Sequence, residues 1–250
     1  MAKVTVCIIA RNEAEGIRDC LESVRWADQV VVLDSLSSDG TAEICRSLGA
    51  EVWESGDWPG FGPQKNRALE HATGEWVLSL DADERVTPEL RAEIERVLAV
   101  PDADAYRIPR RSRYLTRYMR HSGWYPDYVL RLFRRGGARF SDDLVHERLI
   151  VTGRVGTLAN PLVHEAFTSA EEVLEKMNRY SSAGAEMALL ESRRTTLAGA
   201  VLRGLWAFFR TYVLKAGFLD GREGFMLAVS NGEGTYYRYV KLLLLTERRK

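Results

Sequence analysis

The sequence predicts an α/β protein with a mostly parallel central sheet, and three observations carry that prediction. Through the first hundred residues, apolar strand-length runs alternate with helical segments, the rhythm of parallel strands joined by right-handed crossovers. The run Trp76-Val77-Leu78-Ser79-Leu80 is apolar almost throughout, as in a strand buried on both faces. It stops abruptly in Asp81, Asp83 and Glu84. A buried strand does not carry three anions inside, so all three are expected to emerge at its carboxyl end, where open α/β sheets bind ligands.

In chain order, residues 4–10 read as a buried first strand and 14–25 as a helix. A second strand, 29–33, ends at Asp34. Ser37-Ser38-Asp39-Gly40-Thr41 caps a helix reaching about Leu48, with Gly49 as its stop. Residues 50–53 form a short third strand, 56–63 a loop with three glycines and two prolines, and 64–72 a helix. Gly74 turns the chain into the strand described above, and Thr87-Pro88 opens the next helix as cap and first position. After Pro101 the alternation stops: 105–114 and 128–135 read as strands, and from Ser169 the chain is helical. A first helix runs through Glu191, a second covers 197–216, and Asp220-Gly221 turns into a third.

A chain of 250 residues buries enough surface to need neither disulfide nor structural metal. The three cysteines, Cys7, Cys20 and Cys45, are unclustered and form no Cys-x-x-Cys, which fits a reducing cytoplasm. The amino-terminal apolar run is broken by Arg11 too soon for a signal peptide, and no uncharged run is long enough to span a bilayer. Equal numbers of acidic and basic side chains, 35 each, give no net charge that would single out nucleic acid as a partner.

Neither Gly-x-Gly-x-x-Gly nor Gly-Lys-Ser/Thr occurs, which disfavours a dinucleotide-binding dehydrogenase and a P-loop NTPase. Instead three successive strand ends carry polar residues: Arg11-Asn12-Glu13, Asp34-Ser35 and Asp81-Ala82-Asp83. Adjacent strand ends of a doubly wound sheet line one crevice. Close carboxylates repel one another unless a cation or a hydroxyl-rich ligand satisfies them, and oxygen ligands suit Mg²⁺ or Mn²⁺ bridging to phosphate.

Residues 4–13, 30–41, 64–68 and 74–84 together resemble an inverting glycosyltransferase of family 2, with the GT-A fold. The likeness is to the bacterial branch that adds a β-glucosyl residue to a heptose of the lipopolysaccharide inner core, and it runs on through Gly217-Phe218-Leu219-Asp220-Gly221. The resemblance implies a nucleotide-diphospho-sugar donor, UDP-glucose above all, and Mn or Mg as cofactor. By position it places Ala10, Glu13 and Asp34 around uracil and ribose, Lys65 near the nucleotide, Asp81 at the ribose and Asp83 on the metal. It also implies a catalytic domain over residues 1–168, divided into a nucleotide-binding half, 1–100, and an acceptor half, 101–168. A helical extension, 169–250, follows.

The carboxyl half contains an echo, Leu144-Val145-His146-Glu147 and Leu162-Val163-His164-Glu165. In the resembling fold the base that deprotonates the acceptor hydroxyl follows the acidic motif by some tens of residues, where Glu147 sits, and a histidine further on completes the metal shell, where His164 sits. Asp142 and Asp143 are rival bases. Six arginines, 107, 110, 111, 113, 117 and 120, crowd one stretch with tyrosines between them, a pattern suited to a phosphorylated glycolipid acceptor or to a solvated strand face. No RNA-binding signature accompanies them. Residues 197–216 mix aromatic and aliphatic side chains with Arg203, Arg210 and Lys215, which fits either a helix lying in a membrane interface or one packed on the rest of the chain.

The expectation is therefore a metal-dependent glycosyltransferase, peripheral at the cytoplasmic face of the inner membrane. A polyprenyl-phosphate glycosyltransferase, a nucleotidyltransferase and a non-catalytic nucleotide-sugar binding module are the alternatives.

Overall fold

The computed structural model describes residues 2–142 and 147–248. Its amino-terminal elements are β1 (Val4–Ala10), α1 (Ile17–Ser23), β2 (Gln29–Asp34), α2 (Thr41–Ser47), β3 (Glu51–Glu54) and α3 (Phe61–Glu70). There follow β4 (Trp76–Asp81), β5 (Glu84–Val86), α4 (Pro88–Ala99), β6 (Ala105–Tyr114), β7 (Arg117–Tyr118) and β8 (Asp127–Arg134). The remainder is β9 (Ala138–Phe140), β10 (Leu149–Val151), β11 (Val155–Thr157), β12 (Leu162–Phe167), α5 (Ala170–Leu190), α6 (Leu197–Phe209) and α7 (Gly221–Glu247). Single turns of π- and 3₁₀-helix at Arg210–Leu214 and Gly217–Asp220 separate α6 from α7.

Two compact units emerge. Residues 1–110 with 127–164 form one, and residues 111–126 with 165–250 the other. Residues 111–126, expected in the acceptor half, thus group with the carboxyl-terminal helices.

The principal sheet has the order β3-β2-β1-β4-β8-β6-β12-β5. Strands β3, β2, β1 and β4 are mutually parallel, whereas β8 runs antiparallel to both β4 and β6. All seven residues of β1 are buried, because helices cover both faces. Val4, Val6, Ile8 and Ala10 pack with Ile17, Cys20 and Leu21 of α1 and with Leu90, Ile94 and Leu98 of α4. The intervening Cys7 and Ile9 pack with Ala68 of α3 and with Val31 and Leu33 of β2. An unbroken apolar strand is therefore two alternating half-faces, each with its own helix layer.

Thr87 caps α4 as expected, its Oγ accepting from Leu90 N–H at 3.1 Å with Pro88 at the first position. Helix α1 begins three residues later than the sequence predicts, after a turn in which the amides of Gly16 and Ile17 both bond Glu13 O. The cysteines are all buried with their thiols pushed up by burial, Cys7 to about 12 and Cys45 to about 11, so none is poised as a nucleophile.

In the second unit, α7 packs against both α5 and α6. The α6–α7 contact runs through small residues: a Cβ on Gly204 would meet Gly232 O and Tyr236 Cβ, each at 3.0 Å. With small residues facing inward, the large apolar side chains of α6 are left outside. Leu202, Leu205 and Trp206 are 67%, 62% and 56% exposed. Among the described residues, Leu197–Leu214 is the one helical segment long and apolar enough to cross a membrane.

Candidate active site

The three polar strand ends lie side by side. β1 stands between β2 and β4, with Ala10 opposite Asp34 and Ile9 opposite Asp81. The loops that follow are tied together by side-chain bonds. Asp34, almost fully buried, accepts from the Ser37 amide at 2.8 Å and the Ser37 hydroxyl at 2.5 Å. Asn12, in the left-handed region at φ 57°, donates its N–H to Ser37 Oγ and accepts from Ser38 N–H at 2.9 Å. The Glu13 amide donates to Thr41 Oγ1 at 2.9 Å. Asp39 accepts from the Thr41 hydroxyl and the Ala14 amide, and these bonds hold its carboxyl below the usual range. Ala10, Glu13 and Asp34 therefore belong to one rigid shelf at the end of β1 and β2.

On the other side of β1, an alternating chain of charges begins. Lys65, buried on α3, places Nζ 2.9 Å from Asp81 Oδ1 and 2.9 Å from Glu147 Oε1. Helix α3 can come this close because residue 62 is glycine: a Cβ there would stand 1.9 Å from Ser141 O and 3.4 Å from Glu147 Cβ. Arg131 of β8 bonds the other oxygen of Asp81, and its Nη2 also reaches Glu84 Oε1 at 2.7 Å. Arg110 follows, 3.4 Å from Glu84 and 2.7 Å from Asp127. Burial pushes the Asp81 carboxyl up, but Arg131 and Lys65 outweigh it and hold the group ionised, well below the usual range. Burial likewise lowers Arg131, and the charges of Asp81 and Glu84 overcome it.

This arrangement corrects the expectation for Glu84. Of the three carboxylates after β4, Asp81 and Asp83 stay at the strand end, but Glu84 turns back as the first residue of β5 and is completely buried. The interior accepts it because Arg131, Arg110 and the Asp81 N–H, at 3.0 Å, satisfy it. Arg131 is the member of this charge cluster that sequence reasoning missed, and Glu84 the one whose direction it misjudged. The available signal was an arginine between Leu130 and Leu132 in a strand whose centre is otherwise apolar.

Asp83 and His164 also meet, with Oδ2 and Nε2 3.2 Å apart, because the start of β12 pairs antiparallel with β5 and sets His164 opposite Glu84. The echoed segments thus do different things. His164 faces Asp83, whereas the adjacent Glu165 belongs to the second unit and accepts from Arg113 at 3.1 Å and from Tyr118 Oη. Of the rival bases, Asp142 is 71% exposed and paired with Arg139. Asp143 and His146 lie outside the described residues. Glu147 is the carboxylate that sits with Lys65 and Asp81.

Within the arginine-rich stretch, three of the six arginines are paired with carboxylates among the described residues. Arg110 is committed to Glu84 and Asp127, and Arg113 donates to Leu115 O at 2.6 Å besides pairing with Glu165. Arg117 lies 4.0 Å from the buried Asp220, which the His121 amide also bonds at 2.8 Å.

A parallel half-sheet with an acidic motif at the end of β4, extended by antiparallel strands, defines the class of fold: GT-A. The mannosyltransferase PcManGT of Pyrobaculum calidifontis, solved with GDP-Man and Mn²⁺, has this fold, with TM-score 0.57 and 18% identity over 96% of this chain and 87% of its own. Staphylococcus aureus TarS 1-349 in complex with UDP-GlcNAc shares it, with TM-score 0.51 and 16% identity over 98% and 85%. Residues 5–150 match the family described as Glycosyl transferase family 2, and the chain belongs to that family. The lipopolysaccharide core biosynthesis glycosyltransferase LpsC of Rhizobium meliloti is 30% identical over 96% of this chain and 91% of its own length. An uncharacterized glycosyltransferase of Rickettsia prowazekii is 27% identical over 97% and 87%.

Proposed function

We propose that this protein transfers a hexose, glucose from UDP-glucose, to a heptose of a lipopolysaccharide inner core with inversion at the anomeric carbon. The observation that carries the chemistry is the Glu147–Lys65–Asp81 cluster standing in the same unit as the Asp83–His164 pair. The acceptor class is supported by the likeness to LpsC. Ala10, Glu13 and Asp34 border uracil and ribose, Lys65 lies by the nucleotide, and Asp81 meets the ribose hydroxyls. Glu147 takes the proton from the acceptor hydroxyl as its oxygen attacks the anomeric carbon, and the bond from that carbon to the diphosphate oxygen breaks.

Divalent metal fits the residues present. Asp83 and His164 bring a carboxylate oxygen and an imidazole nitrogen together, a donor pair suited to Mn²⁺ or Mg²⁺. Among the described residues no third His, Cys, Asp or Glu joins them. Bound there, the ion supplies Lewis-acid stabilisation of the leaving diphosphate.

Slow hydrolysis of a panel of nucleotide sugars tests the donor. UDP-glucose should be consumed fastest, and the product should be free UDP. Release of pyrophosphate would instead identify a nucleotidyltransferase, and an inert panel a binding module. Transfer to a polyprenyl phosphate rather than a heptose acceptor would move the chain to that alternative class.

The same reading places the protein peripherally on the cytoplasmic face of the inner membrane. Residues 192–219 contain five cationic side chains and no acidic one, and α6 turns its large apolar residues outward beside Arg203 and Arg210. Anionic headgroups complement that charge, each basic residue contributing about 1 kcal/mol near such a surface. Vesicles rich in anionic lipid should sediment the protein at low salt and release it as salt rises. Equal binding to neutral vesicles, or self-association without binding, would reject this attachment.

A further inference from the structure

Arg131 occupies the middle of β8, where both sequence neighbours are leucine, and only 6% of it is exposed. Stability does not require a charge there. Apolar residues of similar volume in place of a buried ion cluster are commonly neutral or stabilising, whereas removing one partner alone is damaging. Nor is the guanidinium fully satisfied, because its buried Nε has no partner among the described residues. What the charge supplies is direction. Arg131 holds one oxygen of Asp81 and Lys65 the other at 2.9 Å, while the Asp81 N–H is fixed on Glu84 at 3.0 Å. Glu84 is itself immobilised by the same Arg131 Nη2, at 2.7 Å. A carboxylate accepts about four hydrogen bonds, so an Asp81 clamped from both sides still has lone pairs to offer a ligand.

We propose that Arg131 is a positioning residue for donor binding: with Lys65 it clamps Asp81 in the one orientation that meets the ribose hydroxyls of a nucleoside diphosphate sugar. This rests on the assignment of Asp81 to the ribose. Arg131 touches neither substrate nor the reacting atoms. It acts through Asp81, and its loss should be felt in donor affinity before it is felt in turnover.

The test compares the wild type with Arg131→Lys, Arg131→Met and the double variant Arg131→Met/Glu84→Met. Each is followed by thermal melting, calorimetry with UDP and GDP, and the kinetics of donor hydrolysis. Lysine keeps the charge, but its side chain is one bond shorter and places no donor where Arg131 Nη2 stands between Asp81 and Glu84. Arg131→Lys should therefore raise the donor KM about ten- to a hundredfold, the range of a lost charged hydrogen bond, with a much smaller change in kcat. Arg131→Met should melt early, because Glu84 is left charged and buried. The double variant should regain the melting temperature yet keep the donor defect. A double variant with wild-type melting and wild-type donor KM would make Arg131 merely structural and overturn the proposal, as would an Arg131→Lys variant with unaltered donor KM. A wild type that binds neither UDP nor GDP is a different failure: it removes the nucleotide-sugar reading itself.

Discussion

Asp83→Ala is expected to lower transfer by about a thousandfold or more, because several kcal/mol of charge stabilisation by a divalent ion depend on it. Asp83 Oδ2 faces His164 Nε2 at 3.2 Å, and no other metal-ligating side chain among the described residues completes a cluster there. On the proposed metal role, removing the carboxylate would take away one of the two side chains that would hold the ion. The folded state should be little affected, since Asp83 lies outside the buried Asp81–Arg131–Glu84 network. The measurements are transfer rate across a Mn²⁺ titration and donor binding with and without chelator. Wild-type activity in Asp83→Ala under chelator would reject the metal role.

Glu147→Gln should lower turnover by about 10² to 10⁴, the usual contribution of a general base, and leave UDP binding nearly intact. Glutamine keeps the shape and an oxygen that still accepts from Lys65, now 2.9 Å from Glu147 Oε1; the basicity is lost with the charge, while Asp81 still pairs with Lys65. His164→Ala should behave differently, raising the Mn²⁺ concentration needed for half-maximal rate. Metal titration of both variants, with calorimetric UDP binding, separates the roles. If added Mn²⁺ rescues Glu147→Gln but not His164→Ala, the two assignments are reversed. If neither variant is impaired, Asp142 and Asp143 return as the candidate bases.

The parallel half of the molecule was legible in the sequence because its signals are local. Apolar runs of strand length, a Thr-Pro helix start and polar residues at each strand end all lie within a few positions of the structure they specify. In the doubly wound order the structure shows, β1 stands between β2 and β4, and Asp34 and Asp81 flank its end. The family resemblance, not local pattern, singled out Asp83 and His164, which are 81 positions apart in sequence and stand 3.2 Å apart in the structure.

Tertiary structure alone decided how the charges divide. A carboxylate following a buried strand can face solvent, ligand or core, and pattern does not choose among them. Glu84 goes inward because β8 presents Arg131 at the required height, a partner contributed 47 residues later. Lys65 reaches Glu147 because Gly62 lets α3 approach residue 141. The pairing of Arg110, Arg113 and Arg117 could not be read from the sequence, because their carboxylate partners, Asp127, Glu165 and Asp220, lie 17 to 103 positions away. The exposure of α6 is likewise a packing outcome: its small residues take the contact with α7 and leave the large ones outside. Local sequence specifies which groups are available, but the pairing of buried charges depends on contacts between distant segments, and the low dielectric of the interior makes that pairing obligatory.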